Sequence, residues 1–225
     1  MEFFSQSSIS SSDHLKLVNV KATSRETTLC LAGAHALVRL DDGTVVGDPM
    51  EKATLEALEW QIGNGDGVAP AAPSAPHRTV VLIRRRFQFS SALKRMSTVS
   101  TLPGGRGLVA VKGAPETLKT MLAQVPSDYD ETYKWYTRRG SRVLALGMKE
   151  YDSISMDRVR TAVKRLNKYR QFYQIKKLNR DEVESHLKFA GFLIFHSPLK
   201  PDAIDALKML ADSSHRVRYS NYYYG

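Results

Sequence analysis

Residues 84–116 constrain the fold of this chain more than any other stretch. They read RRRFQFSSALKRMSTVSTLPGGRGLVAVKGAPE. Extended, alternating segments flank a glycine-rich turn at residues 103–107, which is the pattern of two β-strands joined by a turn. The sequence therefore predicts a β-hairpin with FQFSSALKRMSTVS as its outgoing arm and LVAVKGAPE as its returning arm.

The ends of this hairpin carry side chains suited to ligand binding. The returning arm delivers Lys112 to Gly113, where backbone can approach a bound group, and Pro115 then fits the first turn of a helix. The outgoing arm presents the ring of Phe89 and the cation of Lys94. An aromatic face beside a cation suits a flat anionic ligand such as a nucleotide.

Composition limits the class of protein. At 225 residues the chain is long enough for one large domain with its own core, and its formal net charge of +10 favours anionic partners. The single cysteine, Cys30, excludes a disulfide framework and is best interpreted as a small buried side chain. No run of 18 apolar residues is present and the N-terminus lacks signal-peptide features, so we expect no membrane span.

Further elements follow from local patterns. Asp48 as N-cap, Pro49 at the first helical position and Glu51 two residues later predict a helix extending to about residue 61. A small-residue apolar run at 27–38 predicts a buried helix. Residues 63–77, rich in Gly, Ala and Pro, are interpreted as a flexible linker without core residues.

The C-terminal half alternates helical and extended patterns. The sequence predicts helices at 117–124, 128–139 and 203–211 and strands at 141–149 and 187–196. The basic, tyrosine-bearing segment 155–177 predicts a helix with a solvated face. Together with the hairpin, these elements indicate an α+β fold: a twisted, mostly antiparallel sheet with flanking helices.

Five stretches in order resemble the nucleotide-binding domain of P-type ATPases, the pumps that pass through a phospho-aspartate. They are GDPMEKATLEAL at 47–58, FSSALKRM at 89–96, KGAPE at 112–116, SRVLALG at 141–147 and LKFAGFLIFHSPLKPD at 187–202. Their long forms most resemble the fifth subfamily, the endoplasmic-reticulum polypeptide-transporting ATPases. The resemblance divides the chain into a poorly assigned segment 1–26, a nucleotide-binding domain 27–186, the start of an α/β phosphorylation domain 187–217 and a divergent tail 218–225.

The resemblance implies a set of nucleotide-binding residues. It matches Phe89 to a ring that stacks on adenine, Glu51 to a carboxylate that receives the adenine amino group, and Arg142 to an arginine that reaches the phosphates. The remaining positions implied to bind the nucleotide are Lys94, Met96, Lys112, Gly113 and Ala114. For Glu51, capping of its own helix is an alternative role.

The resemblance also implies partners and a location. The ligand would be ATP, with Mg²⁺ required in the full-length parent pump, and the partners would be the phosphorylation, actuator and membrane domains at the cytosolic face of the endoplasmic reticulum. No nucleic acid is implied. The motifs DKTGT, TGD and GDGxNDxxAL, which supply the phosphorylated aspartate and hold magnesium, are absent from this sequence. We therefore expect this chain to bind ATP without hydrolysing it. Whether it should be classed as an enzyme stays open, because the family it resembles hydrolyses ATP.

Two other functions remain open at this point. The arginines at 84–86 and the basic segment 155–177 also suit an RNA-binding or anionic-surface-binding module. A truncated, non-functional remnant of a pump gene is the third interpretation, since the tail RYSNYYYG departs from the family pattern.

Overall fold

The structure is a computed structural model, and it describes residues 2–4, 17–75, 77–151, 179–195 and 202–213. The strands are β1 (Glu2–Phe4), β2 (Val38–Arg39), β3 (Val45–Val46), β4 (Trp60–Ile62), β5 (Gly67–Pro70), β6 (Val81–Ser90), β7 (Arg95–Thr101), β8 (Gly107–Gly113), β9 (Arg142–Tyr151) and β10 (Lys188–Phe195). The helices are α1 (Arg25–Gly33), α2 (Pro49–Leu58), α3 (Pro115–Lys119), α4 (Tyr129–Thr137), α5 (Arg180–Val183) and α6 (Ala203–Asp212).

Eight strands form one sheet in the order β1-β10-β9-β8-β7-β6-β5-β4, and all neighbouring strands are antiparallel. Strands β2 and β3 form a separate two-stranded hairpin. Helices flank the large sheet, so the predicted α+β class and its mostly antiparallel sheet are confirmed.

Each face of the sheet supports its own hydrophobic core, because successive side chains of a strand point to opposite faces. Leu108 and Ala110 of β8 belong to the core under α1 and α2, whereas Val109 and Val111 belong to the core under α3 and α4. On the first face, a β-carbon built on Gly33 of α1 would lie 3.5 Å from the β-carbon of Ala110. The sheet thus forms the middle of three layers.

Helix α1 is fastened to the sheet by buried polar groups. The hydroxyl of its N-cap, Ser24, accepts from the amide of Thr27 at 3.2 Å, and the Thr27 hydroxyl donates to the Ala190 carbonyl of β10 at 2.5 Å. Cys30 is fully buried, and burial raises the pKa of its thiol to about 12. The interpretation of Cys30 as a buried core side chain is therefore confirmed.

The predicted hairpin is confirmed at its glycine turn but wrong along its outgoing arm. The segment 103–105 forms a short 3-10 turn between β7 and β8. The outgoing arm, however, is two antiparallel strands, β6 and β7, separated by a turn at residues 91–94. Lys94 closes this turn with a positive φ of 50°, a conformation that the sequence does not signal because glycine usually adopts it.

Four other local predictions need correction. The helix predicted at 117–124 is α3, which already ends at Lys119. The helix predicted at 27–38 ends at Gly33, and the helix predicted to reach residue 61 ends at Leu58. The interpretation of 63–77 as a linker without core residues is wrong, because β5 lies there and Val68 is fully buried. The predicted helix at 155–177 and the divergent tail lie outside the described residues.

A buried ionic cluster joins α5 to β7 on the face that carries α3 and α4. The side chain of Glu184, 1% exposed, accepts from Arg95 Nε at 2.5 Å and from Arg180 Nε at 2.8 Å. The Ser97 hydroxyl also donates to Glu184, at 2.6 Å. A carboxylate that is removed from water needs such partners. The cluster therefore fixes β7 to the segment around α5 on this face of the sheet.

Helix α6 exposes several apolar residues, including Ile204 and Met209. It is 10 residues long. Among the helices that the structure describes, none has the length and apolar composition needed to cross a membrane.

Candidate functional site

A cavity of about 230 Å³ lies on the sheet face that carries α1 and α2. Six of the eight residues predicted to bind a ligand line it: Glu51, Phe89, Met96, Lys112, Gly113 and Arg142. The other lining residues are Ala36, Asp48, Met50, Leu144, Leu193 and Phe195. We call this cavity the groove.

A β-bulge brings the Phe89 ring to the groove. Phe87 pairs with Ser97, and Ser90 pairs with Arg95, so three steps along β6 match two steps along β7. The extra residue reverses the alternation of side chains, because a one-residue slip moves a side chain to the other face. Phe87 therefore packs in the core under α3 and α4, whereas Phe89 lines the groove and is 60% exposed.

Met96 and Lys112 form the centre of the groove. They are direct partners in the ladder between β7 and β8, so their side chains lie on the same face. The Met96 side chain is 2% exposed, and its thioether fills the floor. Lys112 is half-buried, with 14% of its side chain exposed.

The ammonium of Lys112 has a structural partner in Glu51. Lys112 Nζ donates to Glu51 Oε1 at 2.6 Å, and the amide of Ala36 donates to Glu51 Oε2 at 2.8 Å. The Glu51 side chain is only 9% exposed. Both carboxylate oxygens are thus occupied by tertiary contacts, and the pair connects α2 to β8 across the groove.

The N-cap of α2 is Asp48, as predicted. Its Oδ1 accepts from the amides of Met50 at 2.7 Å and Glu51 at 3.3 Å, and Pro49 takes the first helical position. The carboxylate of Glu51 does not complete a capping box, because its oxygens contact Lys112 and Ala36 instead. The start of the helix therefore places Glu51 over the sheet.

Arg142 lies at the opposite end of the groove from Phe89, at the first position of β9. Its side chain is exposed, and its NH1 lies 3.7 Å from the sulfur of Met50. Among the residues that the structure describes, Arg142 makes no ion pair. An uncompensated guanidinium at a cavity mouth is a natural contact for an anion.

Two predicted residues lie outside the lining. Lys94, in the turn before β7, has 59% of its side chain exposed, and its Nζ lies 3.6 Å from Glu116 Oε1. The amide of Ala114, the N-cap of α3, donates to the Lys94 carbonyl at 2.9 Å. These two residues therefore belong to the rim beside the groove.

Gly113 lines the groove, and a close approach between strands requires it. A β-carbon there would lie 2.6 Å from the Lys94 carbonyl oxygen and 2.7 Å from the Arg95 β-carbon. Because no side chain tolerates such distances, glycine is needed for the β7–β8 pairing whether or not a ligand approaches.

His35 lies behind the groove. It is 1% exposed, its Nδ1 accepts from the Leu37 amide at 3.1 Å, and its own carbonyl accepts from Arg86 at 3.2 Å. Burial, followed by the charges of Arg86 and Lys112, lowers the pKa of His35 to about 3. The imidazole is therefore neutral, and it does not add to the positive charge of the groove.

Several lining residues carry no sequence signal for a site. Leu144, Leu193 and Phe195 are ordinary strand residues, and they reach the groove only because β9 and β10 pair with Arg142 opposite Phe195. This register is a tertiary feature, which local patterns do not report. Met50 enters the lining because it sits between the N-cap and Glu51 on α2.

A second cavity, of about 570 Å³, lies between the β2–β3 hairpin and the turn after β4. Three aspartates, at 41, 42 and 66, are part of its lining, and it contains none of the predicted ligand-binding residues. Carboxylates repel phosphate groups, so this cavity is unsuited to the ligand that the groove fits. In the described part of the chain, no group of three His, Cys, Asp or Glu side chains is arranged to hold a metal ion.

The fold and groove define an α+β domain with an aromatic ring and cations on one sheet face. Residues 19–202 match the family described as P-type ATPase, cytoplasmic domain N. The chain therefore belongs to the P-type ATPases, of which it represents the cytoplasmic domain N.

Sequence identities to individual relatives indicate which P-type ATPases this chain resembles most. The endoplasmic reticulum transmembrane helix translocase spfA of Aspergillus fumigatus is 48% identical over 219 residues, which cover 91% of this chain and 16% of that protein. The translocase of the same description from Saccharomyces cerevisiae is 45% identical over 206 residues, covering 91% of this chain and 15% of that protein. The polyamine-transporting ATPase 13A2 of Mus musculus is 34% identical over 210 residues, which cover 83% of this chain and 16% of that protein. The chain thus spans about one sixth of the length of these relatives, and it resembles the endoplasmic reticulum translocases more than the polyamine transporter.

Proposed function

We propose that the groove binds ATP and that this chain by itself does not hydrolyse it. One observation carries the proposal. An exposed aromatic ring, a buried carboxylate and two cations line a single cavity on one sheet face, although they are 23 to 91 positions apart in sequence. Each of these groups matches one part of a purine nucleotide.

The base would be recognised at the Phe89 end. A phenylalanine with a 60% exposed ring is available for stacking, which contributes roughly 1–3 kcal/mol per base. The Glu51 carboxylate, an acceptor, can receive the amino group of adenine, whereas the carbonyl oxygen at the same position of guanine would be repelled. Glu51 therefore favours adenine over guanine.

The phosphates would be held toward Arg142. Lys112 already has a carboxylate partner in Glu51, and Lys94 lies near Glu116, whereas Arg142 has only a thioether contact among the described residues. Its planar group can hold two phosphate oxygens at once. Arg142 is thus the cation of the groove that a ligand most readily neutralises.

The layout across the sheet gives the ligand a direction. Phe89, Met96, Lys112, Leu144 and Phe195 lie on five adjacent strands, from β6 to β10. With neighbouring strands about 4.8 Å apart, a flat sheet would place the two ends of this row roughly 19 Å apart. The groove is therefore elongated, with stacking at one end and positive charge toward the other.

The groove should bind ATP weakly. One stacking contact and two or three partly exposed charge contacts leave little free energy once ordering is subtracted, so we expect a Kd of about 1 mM, or about −4 kcal/mol. The Glu51–Lys112 pair must also adjust to the ligand, which weakens binding further. Such affinity suits a domain that presents a nucleotide to a neighbour and then releases it.

The absence of hydrolysis follows from the missing chemical groups. Phosphoryl transfer requires a nucleophile in line with the transferred group and a metal ion that neutralises it. The sequence contains no DKTGT, TGD or GDGxNDxxAL motif. In the parent pump, the phosphorylation domain would supply the aspartate and hold Mg²⁺, with actuator and membrane domains completing the cycle at the cytosolic face of the endoplasmic reticulum.

Titration with nucleotides at two salt concentrations tests the proposal. Isotope-labelled chain should show saturable amide shifts at groove residues with ATP, smaller shifts with GTP, and the same preference at 0.5 M salt. A charge-driven RNA-binding or anionic-surface module would instead lose its ligand steeply as salt rises and would not distinguish the bases. Phosphate release from ATP should stay at background; release above background that depends on the groove would contradict the second half of the proposal.

A further inference from the structure

The guanidinium of Arg142 contacts an uncharged side chain at the groove mouth. Its NH1 lies 3.7 Å from the sulfur of Met50, which is the second residue of α2. Methionine sulfur is a weak hydrogen-bond acceptor and leaves the positive charge uncompensated. Met50 therefore contacts the guanidinium without neutralising its charge.

Phe195 lies opposite Arg142 on the next strand. It is the last residue of β10 and the direct ladder partner of Arg142. Directly opposite residues of antiparallel strands share a face, with their β-carbons about 4.5–5.5 Å apart. Phe195 is half-buried against the core under α1 and α2, and its ring therefore lies on the same sheet face as the Arg142 side chain.

Asp48 is the carboxylate of the lining that could neutralise Arg142, and the helix start occupies it. Its Oδ1 accepts from the amides of Met50 and Glu51 as the N-cap of α2. Its carboxylate makes no ion pair with Arg142. The other lining carboxylate, Glu51, contacts Lys112 and Ala36.

We propose that Met50 and Phe195 are positioning residues that hold the Arg142 guanidinium in place and free of carboxylates, and that this arrangement sets how strongly the domain distinguishes ATP from AMP. The proposal rests on the proposed function, because it assigns the phosphate end of the same groove. It adds Met50 and Phe195 to the residues that act at the phosphate end, and it predicts that the preference for ATP over AMP depends on the charge at position 50.

Changing the charge at position 50 tests this role. In Met50→Glu, the new carboxylate lies within reach of Arg142 and should pair with it, so the Kd for ATP should rise about fivefold to tenfold while the Kd for AMP changes less than twofold. Met50→Leu keeps the apolar contact and should preserve the ATP-to-AMP ratio within about twofold. Lys52→Gln, at an exposed position of α2, alters the net charge by the same amount and controls for long-range repulsion.

A double-mutant cycle separates positioning from general loss of structure. If Phe195 acts through Arg142, then Phe195→Leu should have no further effect on ATP affinity in an Arg142→Ala background. Met50→Glu should weaken ATP binding less in that background than in the wild-type chain, because only the repulsion between its carboxylate and the phosphates remains. Phe195→Leu alone should weaken ATP binding about twofold to fivefold and AMP binding by less than about twofold. Phe87→Leu, a half-buried ring on the opposite face of the sheet, is the matched control.

The outcomes distinguish this proposal from the proposed function. If wild-type chain shows no saturable ATP response, the proposed function fails. If wild-type chain binds ATP but Met50→Glu leaves the ATP-to-AMP ratio unchanged, or weakens both ligands equally, the positioning role is wrong while the site stands. Should Met50→Glu fail to fold, as judged from its amide spectrum, the Phe195→Leu cycle alone decides between the same results.

Discussion

Removing the ammonium of Lys112 should destabilise the domain as well as its ligand site. In Lys112→Met the carbon stem is largely kept, but Glu51 loses the donor at 2.6 Å and retains one amide, that of Ala36, at 2.8 Å. The Glu51 side chain is 9% exposed, so its charge would lose most of its compensation in a region with little water. The substitution thus tests whether the ion pair across the groove is structural.

The expected loss follows from the burial of the pair. Breaking a fully buried ion pair by removing one partner costs about 3–5 kcal/mol. Here 14% of the Lys112 side chain and 9% of the Glu51 side chain are exposed at the edge of a cavity. Water can therefore reach the remaining carboxylate, and we expect a loss of about 2–3 kcal/mol. For a domain of this size, that loss lowers the Tm by about 4–12 °C.

Urea unfolding of three variants measures this prediction. Lys112→Met alone should lose about 2–3 kcal/mol, whereas Lys112→Met combined with Glu51→Gln should lose only about 1 kcal/mol, because no charge is left unpaired. Glu51→Gln alone leaves a lysine that can extend into solvent and should be milder than Lys112→Met. If Lys112→Met is as stable as wild type, or if the double variant loses the sum of the two single losses, the reasoning is wrong.

Three further predictions concern the scaffold around the groove. Glu184→Ala should cost about 3–5 kcal/mol, since it leaves Arg95 and Arg180 without their buried carboxylate, whereas alanine at the exposed neighbour 182 should be nearly neutral in the same unfolding assay. Gly113→Ala should lose about 1–3 kcal/mol through its 2.6 Å clash, and alanine at position 63, where φ is −89° and the nearest atom is 3.6 Å away, should not. The pKa of His35 is about 3 in the folded chain and 6.5 in the unfolded chain. Between these pH values the folded chain keeps His35 neutral while the unfolded chain binds a proton. The free energy of unfolding should therefore fall by up to about 1.4 kcal/mol per pH unit as the pH drops from 6.5 toward 3. His35→Gln should flatten that pH dependence; an unchanged slope would contradict the assignment.

Much of the site was predictable because its chemistry lies in contiguous motifs. The start of α2, with Asp48, Pro49 and Glu51, and the strand end at Lys112 and Gly113 are local patterns that the structure reproduces. The antiparallel sheet also followed from the hairpin and the alternating strands.

The parts that were missed depend on tertiary structure. The turn between β6 and β7 contains neither glycine nor proline, and Lys94 adopts a positive φ that no local pattern indicates. Strand β5 lies in a segment whose Gly, Ala and Pro residues resemble a linker, and pairing with β4 and β6 outweighs that composition. The contribution of Phe195 to the groove depends on its register opposite Arg142, which only the folded sheet reveals.

The central claim, that a nucleotide lies in the groove, is tested most directly through the methionines that line it. The chain contains seven methionines, and Met50 and Met96 are part of the groove lining. In chain labelled at the methionine methyl groups, ATP should shift both signals with one half-saturation point near about 1 mM, and Phe89→Ala should weaken that response about fivefold or more without altering the unfolding free energy. If neither methyl signal moves with ATP, or if Phe89→Ala responds as wild type does, the nucleotide does not occupy this groove.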